Sequence, residues 1–240
     1  MEAERLVRIL ALLSAGGDTD PGVARLCQVC ASITVTSGAV IMVVSDDAPL
    51  GSWRTPDAVS GLMEETQYTL GEGPCFDAYH LERPVIEPDL ANPETVRWPA
   101  FSPVVLRAGV RSVFGFPLRI GAVRLGALGL YRDTPGPLTD DQHAEALVVA
   151  DVATRAVLAL HANASPSELA TEIETGANLR LVVHQACGMV AVQLGLGLTE
   201  ALIRLRACAF ANDRPISEIA EDIVARRLRL DPDSGEIYKQ

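Results

Sequence analysis

Apolar residues recur along the chain at two spacings, which divide it into helical and extended stretches. At the N-terminus, Leu6, Ile9, Leu10 and Leu13 fall three or four residues apart, the spacing that lines one face of a helix. Segment 23–33 repeats this spacing and predicts a second amphipathic helix. The chain therefore opens with two helices before any extended segment.

The middle of the chain carries short apolar runs that predict an antiparallel sheet. Segment 38–44 is rich in β-branched residues, and 50–54 returns beside it as a hairpin partner. Prolines confine 84–89 to a short edge strand. Segments 111–120 and 123–131 form a second hairpin, because only two residues join them.

Helices are predicted between and after these strands. They fall at 57–69, 75–80 and 104–108, and Thr139 caps a long final helix with Gln142 in the capping-box position. Helices inserted among antiparallel strands predict the α+β class, here an antiparallel sheet flanked by helices.

The stretch 179–230 reads as three consecutive short helices that form one small all-α bundle. Helical spacing of small and branched apolar residues marks the first helix, and a Gly-Leu-Gly segment ends it. Thr199 is expected to cap the second helix, with Leu198 and Ile203 as a hydrophobic staple. Ser217 is expected to cap the third helix, whose last turn carries arginines 226, 227 and 229.

Between the sheet and the bundle, Ser165-Pro166-Ser167-Glu168 starts a linker helix with a capping box. Leu169 and Ile173 continue an apolar stripe that no domain of its own covers. This stripe and the N-terminal helix are expected to pair with a second chain in a homodimer. The predicted parts are an N-terminal helix (1–22), an α+β domain (23–161), a helical linker (162–178) and the bundle (179–240).

Charge separates the bundle from the rest of the chain. The whole chain has a formal net charge of −11, whereas Gly176 to Leu230 holds seven arginines and five acidic residues, so the remainder carries −13. The cations of that stretch are all arginine, the residue suited to forked phosphate contacts and base stacking. Solvated charges on a helical bundle are the alternative reading of the same pattern.

The N-terminus lacks the order of basic, apolar and small residues of a signal peptide, and no apolar run reaches the length of a membrane span. A cytoplasmic protein without a membrane role is therefore expected, with its five scattered cysteines as reduced thiols. Cys27 and Cys30 form a C-x-x-C pair on one helical face; burial in a core is favoured over a redox pair or half a zinc site.

The bundle resembles the ANTAR domain, a family of three-helix domains that bind RNA hairpins and prevent transcription termination. The resemblance rests on motifs in order along the whole stretch: Gln185-Ala186-Cys187-Gly188-Met189, Leu198-Thr199-Glu200-Ala201, Leu205-Arg206, Ala209, Arg214-Pro215-Ile216 and 219–224. Cys187 departs from the family, in which lysine often precedes the glycine. The resemblance implies RNA hairpins as partners.

The α+β region resembles the GAF domain, a sensory module that often binds small ligands or dimerises. The phrases that carry this resemblance are Gly71-Glu72-Gly73-Pro74-Cys75, Trp98-Pro99-Ala100-Phe101, 109–113, Phe116-Pro117-Leu118 and 125–128. The Asn-Lys signature of cyclic-nucleotide-binding members and the Cys-His pair of bilin attachment are missing from the sequence. The cofactor or ligand is therefore not named by the resemblance.

Two sets of site residues follow. For RNA binding we expect Gln185, Arg204, Arg206, Arg214 and Arg227, with an ion pair to Glu200 or Glu221 as the structural alternative for Arg206. For a small ligand we expect a pocket of Cys75, Tyr79, Trp98, Phe101, Phe114 and Phe116, with simple core filling as the alternative.

The favoured function is a cytoplasmic sensor-regulator that acts in antitermination without covalent chemistry. An enzyme using the α+β pocket is disfavoured, because the four histidines are scattered and no nucleophile–base set or metal site can be assembled. A thiol redox sensor acting through Cys27 and Cys30 or Cys75 is the other alternative, and it requires depressed thiol pKa values.

Overall fold

The computed structural model describes residues 2–14, 22–45, 48–163, 181–231 and 237–239. The chain divides into two compact units, one of residues 1–64 and 72–179 and the other of residues 65–71 and 180–240. The helices and strands up to residue 163 are α1 Glu2–Ser14, α2 Gly22–Thr34, β1 Gly38–Ser45, β2 Ala48–Arg54, α3 Ala58–Leu70, α4 Pro74–Leu81, β3 Val85–Glu87, α5 Phe101–Arg107, β4 Ser112–Ile120, β5 Val123–Arg132 and α6 Asp140–Asn163.

The first unit is built on a five-stranded antiparallel sheet in the order β2-β1-β5-β4-β3. The β4–β5 hairpin forms its centre, and its register pairs Phe114 with Leu130 and Gly115 with Gly129. β3 lies at the edge, as its flanking prolines predict. The predicted α+β class with helices flanking an antiparallel sheet is confirmed.

The two faces of this sheet are covered differently. Phe114, Phe116 and Leu118 occupy every second position of β4 and so point to the same face, where they form a buried core with α2 and α6. On the opposite face, α4 packs on β4 and β5 at Gly115 and Gly129. Layers on both faces of the sheet thus bury most of β4 and β5, whereas Arg119, Ile120 and Val123 at their hairpin end are exposed.

The second unit contains α7 Leu181–Leu194, α8 Leu198–Ala211, α9 Ile216–Val224 and the short strands β6 Leu228–Leu230 and β7 Ile237–Lys239. It also includes residues 65–71, the last turns of α3 and the glycine after it. Helices α7, α8 and α9 pack on one another around fully buried apolar side chains: Val183, Ala186, Val190, Leu205, Ile216 and Ile219. The predicted three-helix bundle is confirmed.

The ends of the bundle helices differ from the sequence predictions. α8 starts at Leu198 with Gly197 as its N-cap, and neither this helix nor α9 has a side-chain cap hydrogen bond, so Thr199 and Ser217 are not caps. The predicted staple is also wrong, since Leu198 and Ile203 are both mostly exposed. The N-cap Gly197 has the extended backbone conformation usual at this position, where glycine is among the common residues.

The third helix is shorter than predicted, because α9 ends at Val224 and Arg226 turns into the left-handed region with φ 58°. The chain then pairs β6 with β7 in a hairpin that the short apolar runs do not reveal. Arginines 226, 227 and 229 therefore lie after the helix and not in its last turn.

Elsewhere the predicted capping box is confirmed: the Thr139 N–H donates to Gln142 Oε1 at 2.9 Å, and the Gln142 N–H donates to Thr139 Oγ1 at 3.2 Å. The predicted linker helix, with Leu169 and Ile173, lies outside the described residues. In the part of the chain that the structure describes, no single helix is long and apolar enough to cross a membrane; α7 and α8 reach that length and composition only as a pair bent by 104°.

Candidate nucleic-acid interface

Arg214 and Arg227, two predicted RNA contacts, converge on one carboxylate. Arg214 Nη2 donates to Asp222 Oδ2 at 2.8 Å, and Arg227 Nε donates to Asp222 Oδ1 at 2.7 Å. Arg214 also contacts Glu218 at 3.2 Å. The hydrogen bond from Arg214, followed by that from Arg227, lowers the pKa of Asp222 from its ordinary value. The carboxylates thus offset part of the positive charge at these two predicted contacts.

Arg206 has a different environment. Its Nε donates to the backbone carbonyl oxygen of Tyr68 at 2.9 Å, and its guanidinium lies over the Tyr68 ring, 5.8 Å from the centroid. Tyr68 is in the last turn of α3, where carbonyls lack helical partners and attract cations. The structural alternative expected for Arg206 was an ion pair with Glu200 or Glu221. The hydrogen bond that the structure describes instead joins Arg206 to the C-terminal end of α3.

Arg204 and Gln185 are both exposed, on α8 and α7 respectively. Gln185 lines a groove of about 620 Å³ in the second unit, between α7, the end of α9 and β6. The described residues of this groove include two arginines and no carboxylate; those that define it are Gln185, Gly188, Met189, Val192, Arg226 and Arg229. The sequence analysis expected an RNA contact at Gln185 but not at its groove neighbours Arg226 and Arg229, which it placed on a helix.

The six residues of the predicted ligand pocket are all buried, but they do not lie together. Phe114 and Phe116 belong to the core under α2 and α6, where the Phe116 ring contacts His143 at a centroid distance of 5.2 Å. Cys75 and Tyr79 are on α4, on the opposite face of the sheet.

Trp98 and Phe101 form a second pair, with rings edge to face at 5.9 Å. Trp98 Nε1 donates to Asp77 Oδ2 at 3.2 Å, which ties this pair to α4. Glu72 Oε1 accepts from the backbone N–H groups of Ala100 and Phe101 and so caps α5. The α4 side of the sheet thus holds four of the six predicted residues.

The cysteines are placed as core residues. Cys27 and Cys30 are fully buried on α2, and burial raises the pKa of Cys27 to about 12 and that of Cys30 well above its ordinary value. Burial also raises the pKa of Cys187 to about 11, although Arg206 acts in the opposite direction. Thiols with raised pKa values are poor nucleophiles, which disfavours the redox-sensor alternative at Cys27 and Cys30. Among the described residues, no group of three or more His, Cys, Asp and Glu side chains is arranged to hold a metal ion.

Comparison with known protein families finds a match for each of two consecutive segments of the chain. The GAF domain family matches residues 23–158, and the ANTAR domain family matches residues 171–224. No curated protein matches the chain.

Solved structures similar to this chain include GAF domains. One, from a phosphoenolpyruvate-protein phosphotransferase of Coxiella burnetii, has 12% identity and a TM-score of 0.48, covering 67% of this chain and 95% of that one. Its counterpart from Acinetobacter has 13% identity and a TM-score of 0.48, over 68% and 96%. Free methionine-R-sulfoxide reductase from Neisseria meningitidis has 16% identity and a TM-score of 0.47, over 68% and 92%.

A sensory α+β domain followed by a three-helix effector unit defines a sensor-regulator of the antitermination type. The chain belongs to the GAF–ANTAR regulator family. Both domains are regulatory, which fits a protein that acts by binding.

Proposed function

We propose that this protein binds hairpins in nascent RNA through its C-terminal three-helix unit and so prevents transcription termination. In this proposal the GAF domain senses a signal or sets a homodimer, and the protein acts in the cytoplasm, where nascent RNA is made. The protein requires no covalent chemistry for this role, because shifting the equilibrium between RNA hairpins is a matter of differential binding.

The observation that carries the proposal is the concentration of arginine in the unit matched by the ANTAR family. An acidic chain of net charge −11 holds a stretch, residues 176–230, of net charge +2 with arginine as its only cation, and this stretch overlaps the match at 171–224 over residues 176–224. Arginine binds phosphates with two parallel N–H groups and stacks on bases. Gln185 and Arg204 are exposed on adjacent helices of this unit and support the same role.

Crosslinking of RNA to the protein in cells, followed by sequencing, tests the proposal. We expect recurrent hairpins that overlap or precede terminators. Recovery of RNA without shared hairpins, in amounts no greater than for a protein lacking residues 179–240, would contradict it. A terminator reporter with a recovered hairpin then measures the direction of control.

For the sensing role we propose a small-molecule ligand on the α4 side of the GAF sheet, near Cys75, Tyr79, Trp98 and Phe101. The hydrogen bond from Trp98 to Asp77 and the capping of α5 by Glu72 hold these side chains in a defined arrangement, which supports the proposal. A metabolite screen by thermal shift tests it. Stabilisation by a ligand should be lost in Trp98→Ala and retained in Phe116→Ala, whose side chain lies on the other face.

A further inference from the structure

We propose that the C-terminal end of α3 is autoinhibitory, because it occupies donor groups of the three-helix unit that RNA would otherwise bind. This α3 segment is residues 65–71, which belong to the same compact unit as α7, α8 and α9. The inference rests on the proposed RNA-binding function and adds a means of regulating it. RNA and the α3 segment compete for one surface.

The first contact of the α3 segment covers Arg206, one of the predicted RNA contacts. Arg206 Nε donates to the Tyr68 carbonyl oxygen at 2.9 Å, and the guanidinium lies over the Tyr68 ring, 5.8 Å from the centroid. Arginine contacts RNA in the same two ways, through N–H groups on phosphate oxygens and by stacking on bases. Tyr68 therefore takes up an N–H group and a guanidinium face that a phosphate and a base would use.

The second contact covers the start of α9. The Ile216 N–H, in the first turn of this helix, donates to Thr69 Oγ1 at 3.5 Å, and the Ser217 hydroxyl donates to Glu65 Oε1 at 3.4 Å. The first N–H groups of a helix have no partner within it and favour negatively charged groups. The α3 segment thus offers a hydroxyl oxygen and a carboxylate to donors that suit the phosphate oxygens of RNA.

The acceptors lie on one side of α3, and the turn after it is fitted to the arginine. Glu65, Tyr68 and Thr69 are spaced by three and four residues, so they share a helix face. Gly71 has a left-handed φ of 69°, and a Cβ there would lie 2.8 Å from Arg206 Nη1. Glycine at this position therefore both permits the turn and leaves room for the guanidinium.

The hydrogen bonds of the α3 segment can be displaced. Those at 3.4 and 3.5 Å are longer than the usual range and therefore weak. A phosphate on the same donors would make shorter, charge-assisted hydrogen bonds. The apparent affinity for RNA is then reduced in proportion to the fraction of molecules in which the surface is free.

The other end of α3 is held by the GAF sheet. Asp57 accepts from the Ser60 N–H at 2.7 Å, which caps the start of α3, and from the hydroxyl of Tyr131 on β5 at 2.6 Å. The helix thus begins in the first unit and ends in the second. A signal that shifts the start of α3 changes the hold of the α3 segment on the RNA-binding donors.

Binding of a labelled RNA hairpin pool by the full-length protein tests the inference. In Gly71→Ala the added methyl group should push the Arg206 guanidinium away from Tyr68 without a change of charge. Gly121→Ala is the matched control: its φ of 56° is also left-handed, but among the described residues nothing beyond its chain neighbours lies within 4 Å of the added Cβ. We expect Gly71→Ala to bind the pool at least about fivefold more tightly than Gly121→Ala, the lower end of coupling between sites.

A second variant and a second measurement make the test independent of how well Gly71→Ala folds. Thr69→Val removes the acceptor of the Ile216 N–H and keeps the side-chain shape, so it should also tighten binding relative to the wild type. Amide hydrogen exchange of the wild-type protein reports displacement directly. With saturating hairpin RNA, exchange in residues 65–71 should become faster, and exchange in α6 should stay unchanged.

Exchange in residues 65–71 that is unchanged or slower with RNA bound would overturn the inference while leaving RNA binding intact. Affinities of folded Gly71→Ala and Thr69→Val no tighter than those of Gly121→Ala and the wild type would overturn it as well. A wild-type protein and variants that all fail to bind the hairpin pool would instead contradict the proposed function, and the inference with it.

Discussion

Arg206 donates from Nε to the carbonyl oxygen of Tyr68 at 2.9 Å, and its guanidinium lies over the ring of the same residue. Arg206, one of the two predicted RNA contacts that match the ANTAR pattern, therefore caps the C-terminal end of α3. A charge-assisted hydrogen bond to an otherwise unpaired helix carbonyl is a stabilising contact. Arg206 thus has a structural role that its position in the motif does not reveal.

We predict that Arg206→Ala lowers the free energy of unfolding by about 1–3 kcal/mol, because it removes this hydrogen bond and the packing of a partly buried side chain. Urea or thermal unfolding measures the change. Arg204→Ala, an exposed arginine two residues away on α8, is the control and should change stability by less than about 0.5 kcal/mol. If Arg206→Ala had normal stability but reduced RNA affinity, Arg206 would be an RNA contact and not a structural cap.

Asp222 provides a second prediction, because it accepts hydrogen bonds from both Arg214 and Arg227. Asp222→Asn removes the negative charge between them. If both arginines contact RNA, hairpin affinity should rise and the slope of log affinity against log salt should steepen by about 0.7 for each released arginine. Fluorescence anisotropy over a salt series measures both quantities.

Glu221→Gln is the control for this experiment, since it removes one negative charge from the same helix at an exposed position. An Asp222→Asn variant with the same salt slope as Glu221→Gln would show that Arg214 and Arg227 do not reach the RNA. The two arginines would then act only in the ion-paired cluster at the end of α9.

The fold was largely predictable from the sequence, because alternation and helical spacing persist over whole elements. The strand pair at 111–131 and the capping box of Thr139 and Gln142 depend on residues close in sequence, and both are confirmed. The predictions of N-caps at Thr199 and Ser217 were wrong, although both residue types are common N-caps. The observed N-caps, Gly197 and Pro215, each lie two residues before the predicted ones, a shift that local propensity does not detect.

The sites were less predictable because they depend on which face each element covers. Alternation alone puts Phe114 and Phe116 on one side of β4, but it does not say that α6 covers that side and α4 the other. The left-handed turn at Arg226 likewise depends on where α9 ends.

A third prediction concerns the close approach of α4 to the sheet. A Cβ at Gly129 would lie 2.5 Å from Cys75 Sγ, so Gly129→Ala should lower the free energy of unfolding by about 1–3 kcal/mol. Cys75→Ala removes the sulfur and should restore part of that loss in the double variant. Chemical unfolding of the four proteins in the cycle gives the coupling.

Gly115→Ala is the matched control for this cycle. Its Cβ would lie 2.2 Å from the backbone carbonyl oxygen of Pro74, which no side-chain change removes. Cys75→Ala should therefore not rescue Gly115→Ala. Equal rescue of both glycine variants would show that α4 shifts as a whole and that the sulfur contact is not the cause.

A fourth prediction concerns pH. Asp57 Oδ1 accepts from the Tyr131 hydroxyl at 2.6 Å and from the Ser60 N–H at 2.7 Å, and Oδ2 accepts from Thr55 Oγ1 at 2.6 Å. Burial raises the pKa of Asp57, but these hydrogen bonds together outweigh it and lower the pKa from 3.8 to about 2.

A carboxylate with a depressed pKa stabilises the fold above its unfolded pKa, and this contribution is lost as the pH falls through its folded pKa. Stability should therefore fall between pH 3.8 and about 2, by about 1 kcal/mol from Asp57 after allowance for solvent screening. Asp57→Asn should flatten this part of the profile, as measured by urea unfolding at each pH. The same slope in both proteins would assign the acid sensitivity to other carboxylates.

The last prediction concerns the homodimer. Arg5 of α1 contacts Asp141 at 2.6 Å and Glu145 at 3.2 Å on α6, and Arg8 contacts the same Glu145. With α1 held this way, Val7 and Leu10 are 67% and 47% exposed, an apolar surface that a second chain would bury.

Light scattering of the wild type at micromolar concentration should give twice the chain mass, and a Val7→Glu, Leu10→Glu double variant should give the monomer mass. Leu198→Glu, which changes an equally exposed apolar residue of α8, should leave the dimer intact. A wild-type monomer throughout, or a dimer in the double variant, would show that α1 is not the interface.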